Sequence, residues 1–128
     1  MPERADLVKR LFDLMAQGAV DEIVAHYHED ATVEILAEQR VVRGREELTA
    51  YLHEEADSTR VAETTSLHFD ERRDTVVVTG RIRLRDEGGS MSDSPGAWIF
   101  EFEGDRVIRV RGFRDHDSAW DALDGDEH

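Results

Sequence analysis

Three polar side chains in this 128-residue sequence have types suited to acid–base chemistry or to holding an acidic group: Tyr51, His68 and Arg114. A tyrosine hydroxyl and an imidazole can both move a proton, whereas a guanidinium binds a carboxylate or polarises a carbonyl. His68 alternates with Leu67 and Phe69. It is therefore a lone base if it faces the interior, and a sheet-surface residue if it faces outward.

Arg114 and the second tyrosine, Tyr27, are candidates for contacts with a ligand. Arg114 continues the face of Val110 and Gly112 in a predicted strand, which points it toward the interior. The alternative is an ion pair at the rim with a nearby acidic residue. Tyr27, like Tyr51, lies on the inner face of a predicted helix, where its hydroxyl either contacts a ligand or completes the core.

The sequence contains no motif for a metal, a nucleotide or a cysteine or serine nucleophile. Without cysteine, a disulfide, a thiolate metal site and a cysteine nucleophile are excluded. His26 and His28 diverge on a helix, and the other histidines are too scattered for a metal spacing. No serine has a GxSxG context, and "DEGGSM" lacks the lysine of a phosphate loop. We therefore expect neither a metal nor a cofactor.

The charge of the chain limits its partners. The 30 acidic and 16 basic residues give a net charge of −14, and such a field repels nucleic acid and anionic membranes. No apolar run is long enough to span a membrane, and "MPERADLVKR" lacks the apolar segment of a signal peptide. We expect a soluble, cytoplasmic protein with one domain over residues 1–124 and a disordered tail over 125–128.

Hydrophobic periodicity predicts an α+β protein. Apolar residues recur at helical spacing over 4–16 and 20–28, and a third helix follows Gly44. A last helical turn is predicted over 117–123. Alternating apolar and polar residues predict strands, the last four of them forming a meander, over 31–36, 64–70, 75–85, 91–103 and 106–114.

The segment "PGAWIFEFEGDRV" decides which side chains share a face of the predicted sheet. A two-residue turn would set Phe100 opposite Arg109. A three-residue turn sets Phe100 opposite Ile108 instead, and Trp98 then faces Val110. We predict the three-residue turn because it brings apolar partners together, and we expect these aromatic residues to be part core and part ligand contact.

The other face of the predicted sheet is rich in arginine and charge-paired, with an expected diagonal pair between Glu101 and Arg109. Long arginine stems and paired charges suit a partly buried contact between two copies of the chain, with an anion site as the alternative. We predict a homodimer through this face, formed by Arg81, Arg83, Ile99, Glu101, Arg109 and Arg111.

Two parts of the sequence resemble one superfamily. "HYHEDATVEI" followed by "VVRGREELTAYL" resembles a passage shared by SnoaL-like polyketide cyclases and ketosteroid isomerases. "WIFEFEGDRVIRVRGFRDHDSAWDAL" is similar to the final hairpin and terminal helix of many SnoaL-like proteins. The resemblance implies the cone-shaped nuclear transport factor 2-like fold, in which three N-terminal helices pack on a curved, mostly antiparallel sheet and a short C-terminal helix follows. It also implies a pocket and, commonly, a homodimer through the outer face.

The resemblance also locates the positions that carry catalysis in ketosteroid isomerases. There an aspartate base works with an oxyanion hole made by a tyrosine and a protonated aspartate. By resemblance the base falls on Ile35, the tyrosine on Leu11 and the second aspartate on Trp98. None of these side chains can take up a proton or stabilise an oxyanion, so we do not expect that reaction.

We expect the chain to bind a small hydrophobic metabolite, carboxylated or carbonyl-bearing, in an apolar pocket. One alternative is an enzyme of the cyclase, isomerase or hydrolase type that uses Tyr51, His68 or Arg114 in a non-standard arrangement. The other is a non-catalytic dimerisation module with a filled core. The predicted ligand contacts are Leu11, Tyr27, Ile35, Leu52, Trp98, Phe100, Val110 and Arg114.

Overall fold

A computed structural model describes residues 3–35, 39–57, 61–85 and 88–126. Helices and strands occur largely in separate runs, as in an α+β protein, which confirms the predicted class. In chain order the elements are α1 (Glu3–Gln17), α2 (Val20–Ala25), β1 (Tyr27–Ile35), β2 (Arg40–Arg43), α3 (Gly44–Ala56), β3 (Val61–Arg72), β4 (Thr75–Arg85), β5 (Met91–Glu103), β6 (Arg106–Phe113) and α4 (His116–Asp126).

The strands form one curved sheet in the order β2-β1-β6-β5-β4-β3. The predicted meander of β3 to β6 is confirmed, since these strands pair in sequence and antiparallel. β1 joins the sheet beside β6 and runs parallel to it. This parallel pair is possible because α3 and four further strands separate β1 from β6 in the chain.

The main core lies between the sheet and the first three helices, on what we call the inner face. α1 contributes Val8, Leu11 and Leu14, which pack with the fully buried Val76 and Val78 of β4. Burying one such side chain contributes roughly 1.5–3 kcal/mol. The apolar stripe of α1 therefore fixes the helix against the middle of the sheet.

Two side chains fasten the start of α1 to the sheet. The backbone N–H of Ala5 donates to Glu71 Oε1 on β3 at 2.8 Å, which satisfies an amide of the first helical turn. The guanidinium of Arg4 donates to the carbonyls of Arg73 and Gly104 at 3.3 and 3.0 Å. Because Arg73 and Gly104 lie in different hairpin turns, Arg4 joins both turns to the helix.

α4 covers part of the outer face, the side of the sheet opposite the first three helices. Ala119 and Leu123 pack against Val77, Ala97 and Ile99, all of them buried. Ile99 is 0% exposed, so it lies under α4 and is not part of the surface where a partner was predicted. The sequence missed this cover because the alternation of strand residues does not show what lies above each face.

The ends of α4 also differ from the prediction. The backbone N–H of Ser118 donates to Asp115 Oδ1 at 2.7 Å, so Asp115 caps the helix N-terminus. α4 then continues to Asp126, so residues 125 and 126 of the segment predicted as disordered are helical. Residues 127 and 128 lie outside the described residues.

The second predicted helix is shorter in the structure. α2 ends at Ala25, and Tyr27 is the first residue of β1 rather than part of the helix. Tyr27 is paired with Val107 of β6, and the N–H of Val107 donates to the carbonyl of His26 at 3.0 Å. Pairing with a distant strand therefore overrides the local helical spacing. Leu36, the predicted end of this strand, lies outside the described residues.

The turn of the β5–β6 hairpin differs from the predicted one, but its apolar side chains lie on the predicted face of the sheet. Glu103 pairs with Arg106 across a two-residue turn, so the predicted three-residue turn is wrong. A bulge then shifts the register, so that Phe100 lies opposite Val110. The extra residue in β6, Ile108, restores the apolar pairing that the prediction required. Trp98, Phe100 and Val110 therefore share the inner face as predicted.

Candidate functional site

One row of paired residues crosses the whole inner face of the sheet. Directly paired residues point to the same side, so this row forms a continuous strip of surface. Two of its residues, Ile35 and Trp98, lie on either side of Gly112, and both are half-buried and pack against the main core. From β2 to β3 the row consists of Arg40, Ile35, Gly112, Trp98, Val78 and Phe69.

Trp98 is held by an aromatic cluster and by two glycines. Its ring meets Phe12 of α1 edge to face, with centroids 5.2 Å apart, and Phe12 contacts Phe69 in the same way at 6.1 Å. A Cβ at Gly112 would lie 3.7 Å from Trp98 Cδ1, and one at Gly96 would lie 3.1 Å from Cη2. The indole therefore lies along backbone that has no side chains, with part of its surface exposed.

The deeper predicted contacts form closed core rather than exposed surface. Leu11 is 1% exposed and Phe100 is 3%, and Leu52 and Val110 are also buried. Tyr27 belongs to the same cluster, and burial raises the pKa of its phenol above the usual value of 10.0. The structure thus brings all the predicted ligand contacts except Arg114 into one cluster. Within it, Ile35 and Trp98 keep exposed surface.

Tyr51 lies at the β2 end of the row, under a charged side chain. It is half-buried and packs against the main core from α3, as predicted for an inner-face residue. The guanidinium carbon of Arg40 lies 4.8 Å from the centre of its ring, within the range of a cation–π contact. Arg40 also pairs with Glu54 of α3 at 3.0 Å. An aromatic ring, a cation and an acid therefore meet at this rim.

His68 and Arg114 do not join Tyr51. His68 is exposed and is paired with Thr79, on the face of the sheet opposite Phe69 and Trp98. Arg114 follows the last residue of β6 and is exposed. The sheet thus separates the imidazole of His68 from the phenol of Tyr51. The three polar residues selected from the sequence do not form one site.

Sequence reasoning missed Phe12, Phe69 and Arg40 as neighbours of the candidate site. Phe12 belongs to the apolar stripe of α1, and Phe69 to an alternating strand, so both read as ordinary core residues. Arg40 lies on β2, a four-residue edge strand with a weak pattern. Only the pairing of β2 with β1 places Arg40 beside Ile35. The one signal in the sequence was that aromatic residues occur both on α1 and on the strands that it faces.

The outer face carries a cluster of paired charges beside α4. Arg109 Nε lies 2.8 Å from Glu34 Oε2, and its Nη1 lies 3.6 Å from Glu101 Oε2. Arg111 Nε lies 3.6 Å from the same oxygen of Glu101, and the arginine is only 8% exposed. Glu101 and Arg109 are direct cross-strand partners rather than the diagonal neighbours expected. Further along the sheet, Arg81 pairs with Asp93 at 2.7 Å.

An open groove lies where α3 begins, and structural contacts occupy two of its charged side chains, Arg45 and Glu47. The N–H of Arg43 donates to Glu47 Oε1 at 3.3 Å, which caps the helix. Arg45 donates to the carbonyl of Tyr27 at 2.6 and 3.0 Å. Arg45 therefore fastens α3 to β1, and Glu47 fixes the junction of β2 with α3. The groove is lined by Glu29, Arg43, Gly44, Arg45, Glu46, Glu47 and Ala50.

In the part of the chain that the structure covers, no three His, Asp or Glu side chains come together as a metal site would require. Within the same residues, no helix is long and apolar enough to cross a membrane.

Comparisons with known proteins agree on one fold. The family model for the SnoaL-like domain matches residues 8–110. A proposed polyketide cyclase from Xanthomonas campestris has a similar structure, with 20% identity, a TM-score of 0.76, and coverage of 94% of this chain and 96% of that one. A nuclear transport factor 2-like protein of unknown function from Burkholderia pseudomallei has 15% identity, a TM-score of 0.78, and coverage of 93% and 95%.

A third similar structure holds a small molecule. It is a protein with a ketosteroid isomerase-like fold from Catenulispora acidiphila, solved in complex with trimethylamine. It has 14% identity to this chain and a TM-score of 0.72, with coverage of 90% of this chain and 87% of that one. No curated protein matches the sequence. At these identities the similar structures support the fold alone.

Proposed function

The chain belongs to the SnoaL-like family, and from that premise we propose that it binds a small hydrophobic metabolite on the inner face of its sheet. The observation that carries the proposal is the half-buried indole of Trp98, which lies over two glycines and keeps exposed surface within an aromatic cluster. Apolar and aromatic walls with few polar groups are typical of small-molecule sites.

Three half-buried side chains define the proposed contact surface: Ile35, Phe69 and Trp98. All three lie in the row that crosses the inner face. Phe12 packs on both Phe69 and Trp98, so Ile35 and Trp98 form the centre of the proposed surface and Phe69 its edge. The contact between Phe12 and Trp98 is edge to face, so it holds the indole in place. The complex of the Catenulispora acidiphila protein with trimethylamine adds an example of this fold with a small organic molecule.

The test is a titration with the neutral fluorescent probe N-phenyl-1-naphthylamine. Trp120 lies on α4 at the outer face, so a Trp120→Phe variant leaves Trp98 as the only tryptophan. We expect saturable binding with energy transfer from Trp98. Binding should be unchanged between wild type and Trp120→Phe and roughly tenfold weaker in Trp98→Leu, since one aromatic contact of this kind contributes about 1–2 kcal/mol.

A second variant keeps Trp98 and adds bulk beside it. A side chain at residue 112 begins in contact with Cδ1 of the indole, so Gly112→Val should occupy the surface that the probe needs. Circular dichroism checks that each variant is folded. If saturable binding is absent, or if it is the same in wild type, Trp98→Leu and Gly112→Val, the proposed site is wrong.

We also propose a homodimer through the outer face, where the charged cluster lies. Glu101, Arg109 and Arg111 already pair within one chain, which lowers the free-energy cost of covering them with a partner. Arg81 and Arg83 extend this surface along β4, whereas Ile99 is excluded because α4 covers it. Light scattering should give the mass of a dimer for wild type and of a monomer for Arg109→Glu. A monomeric wild type at all concentrations refutes the dimer.

A cytoplasmic location is part of the same proposal. The sequence has no cysteine, which is compatible with a reducing compartment. Fractionation of the source cells, followed by immunoblotting, tests it, and recovery in the membrane or secreted fraction would contradict it.

A further inference from the structure

We infer that Arg40 binds an anionic group of the ligand, and that the metabolite is therefore an amphipathic organic acid with an apolar body. This inference rests on the proposed ligand site and specifies the chemistry of its rim. The anionic group is a carboxylate, sulfonate or similar planar or tetrahedral oxyanion, because these match the N–H groups of a guanidinium.

The sheet register places Arg40 in the same row as Trp98. Arg40 is paired with Ile35, Ile35 with Gly112, and Gly112 with Trp98. Neighbouring strands lie about 4.8 Å apart, so the Arg40 and Trp98 backbones are roughly 14 Å apart along the sheet. The indole of Trp98 lies against Gly112, which separates Trp98 from Ile35 in this row. The indole covers Gly112, so the body of the ligand would lie along the exposed part of the indole, beside the half-buried Ile35.

The guanidinium of Arg40 is oriented toward the inner face by its neighbours. It lies over the ring of Tyr51 at 4.8 Å and pairs with Glu54 Oε2 at 3.0 Å. Tyr51 in turn packs against the main core, so the ring is a fixed support. Holding a long side chain in place before binding lowers the conformational entropy lost when a ligand arrives.

Arg40 also remains within reach of solvent and can serve a second acid. Its side chain is 44% exposed, so a ligand carboxylate can approach the guanidinium beside Glu54. The ion pair between Arg40 and Glu54 also predicts that Glu54 competes with the ligand, because its carboxylate lowers the attraction of Arg40 for another anion. Arg114, the anchor expected from the sequence, lies instead beyond the end of β6 and is exposed.

The test compares two probes that share an aromatic body and differ in charge. N-phenyl-1-naphthylamine is neutral, and 1-anilinonaphthalene-8-sulfonate carries a sulfonate. Arg40→Gln should weaken binding of the sulfonate probe about tenfold and that of the neutral probe less than about twofold, since only the former loses a charge-assisted hydrogen bond. Arg114→Gln is the matched control, and it should change neither affinity by more than about twofold.

A second variant predicts a change in the opposite direction. Glu54 is exposed, so Glu54→Gln should leave the fold intact. It removes the competing carboxylate, and the sulfonate probe should bind roughly two- to fivefold more tightly while the neutral probe is unaffected. A general loss of structure would weaken binding of the sulfonate probe in both variants. Opposite changes in Arg40→Gln and Glu54→Gln would therefore indicate an effect of charge.

The outcomes separate this inference from the function on which it rests. If the neutral probe binds at Trp98 and Arg40→Gln leaves the sulfonate probe unchanged, the site stands and the role of Arg40 is wrong. If Arg114→Gln has the larger effect, the anchor is Arg114 and the inference is also wrong. If neither probe binds in a saturable way that depends on Trp98, the proposed function itself fails, and the inference fails with it.

Discussion

Gly112 of β6 lies directly opposite Trp98 of β5, and the indole covers the glycine. A Cβ at Gly112 would be 3.7 Å from Trp98 Cδ1 and 3.9 Å from Nε1, which is ordinary contact. At Gly96, on the same strand as Trp98, a Cβ would be 3.1 Å from Cη2 and 2.8 Å from Cδ1 of Ile82. The two glycines therefore constrain the indole to different degrees.

The first prediction compares alanine at these two glycines. Gly96→Ala should displace Ile82 and the indole and destabilise the fold by about 1–3 kcal/mol, as overpacking does. Gly112→Ala, the matched control, should cost less than about 1 kcal/mol, because its methyl group fits. Urea unfolding measures the stability, and the emission of Trp98 in the Trp120→Phe background reports the displacement. Equal effects of the two substitutions would show that the indole does not rest on Gly96.

The second prediction concerns the contacts that hold the start of α1. Arg4 donates to two hairpin carbonyls and lies 3.3 Å from Asp74, with its side chain 32% exposed. Arg4→Ala should lower the free energy of unfolding by about 1–2 kcal/mol, because two hydrogen bonds from a charged group are lost. Arg10, exposed and 3.7 Å from Glu22, is the control, and Arg10→Ala should cost less than about 0.5 kcal/mol. Chemical denaturation distinguishes them, and equal losses would contradict the prediction.

The third prediction concerns the pH dependence of α4 docking. The backbone N–H of Ser118 lowers the pKa of Asp115 below its usual value of 3.8. The carboxylate therefore stabilises the helix N-terminus at and above that value, and this stabilisation is lost as the pH falls through the lowered pKa. Trp120 should become more exposed to water in that acidic range. Asp115→Asn keeps a capping oxygen that does not titrate, so this part of the pH dependence should vanish.

The measurement for α4 is the emission wavelength of Trp120 in a Trp98→Phe background, followed from neutral to acidic pH. Asp121→Asn, at an exposed position within α4, is the control and should keep the wild-type pH profile. An acid transition that is identical in Asp115→Asn and in the parent protein would show that another group controls the docking.

The fourth prediction concerns Tyr27. Burial raises the pKa of its phenol above the usual value of 10.0, so the folded state favours the neutral form. The stabilisation is complete below that value and is lost as the pH rises toward the raised pKa. In Tyr51→Phe, Tyr27 is the only tyrosine. Its tyrosinate absorbance should stay flat until the chain unfolds, whereas the urea-unfolded chain should titrate near the usual value. A folded protein that titrates there would contradict the burial.

The local pattern of the sequence predicted much of the fold. The stripe of Val8, Leu11 and Phe12 predicted α1, and alternation predicted β4 to β6 and the face that Trp98 and Phe100 share. The resemblance of the quoted segments to SnoaL-like proteins predicted the topology that the comparisons support. These features depend on residues close in the chain, so their spacing already contains the information.

Other features depended on contacts between distant residues. Tyr27 is in a strand because it pairs with Val107, and the hairpin turn has two residues because a bulge at Ile108 absorbs the shift in register. Ile99 is buried because α4 lies over it, which no alternation of strand residues can show. In each case, local spacing allowed more than one structure, and a tertiary contact selected one of them.

The candidate site shows the same division between sequence and tertiary structure. The sequence determined that the inner face is apolar, that Leu11, Ile35 and Trp98 cannot carry proton transfer, and that the chain has no cysteine chemistry. Only the tertiary structure decided that His68 lies on the other side of the sheet and that Arg40 lies over Tyr51. Side-chain chemistry is a property of each residue, whereas a site requires several residues at one place, and the pairing of distant strands sets that place.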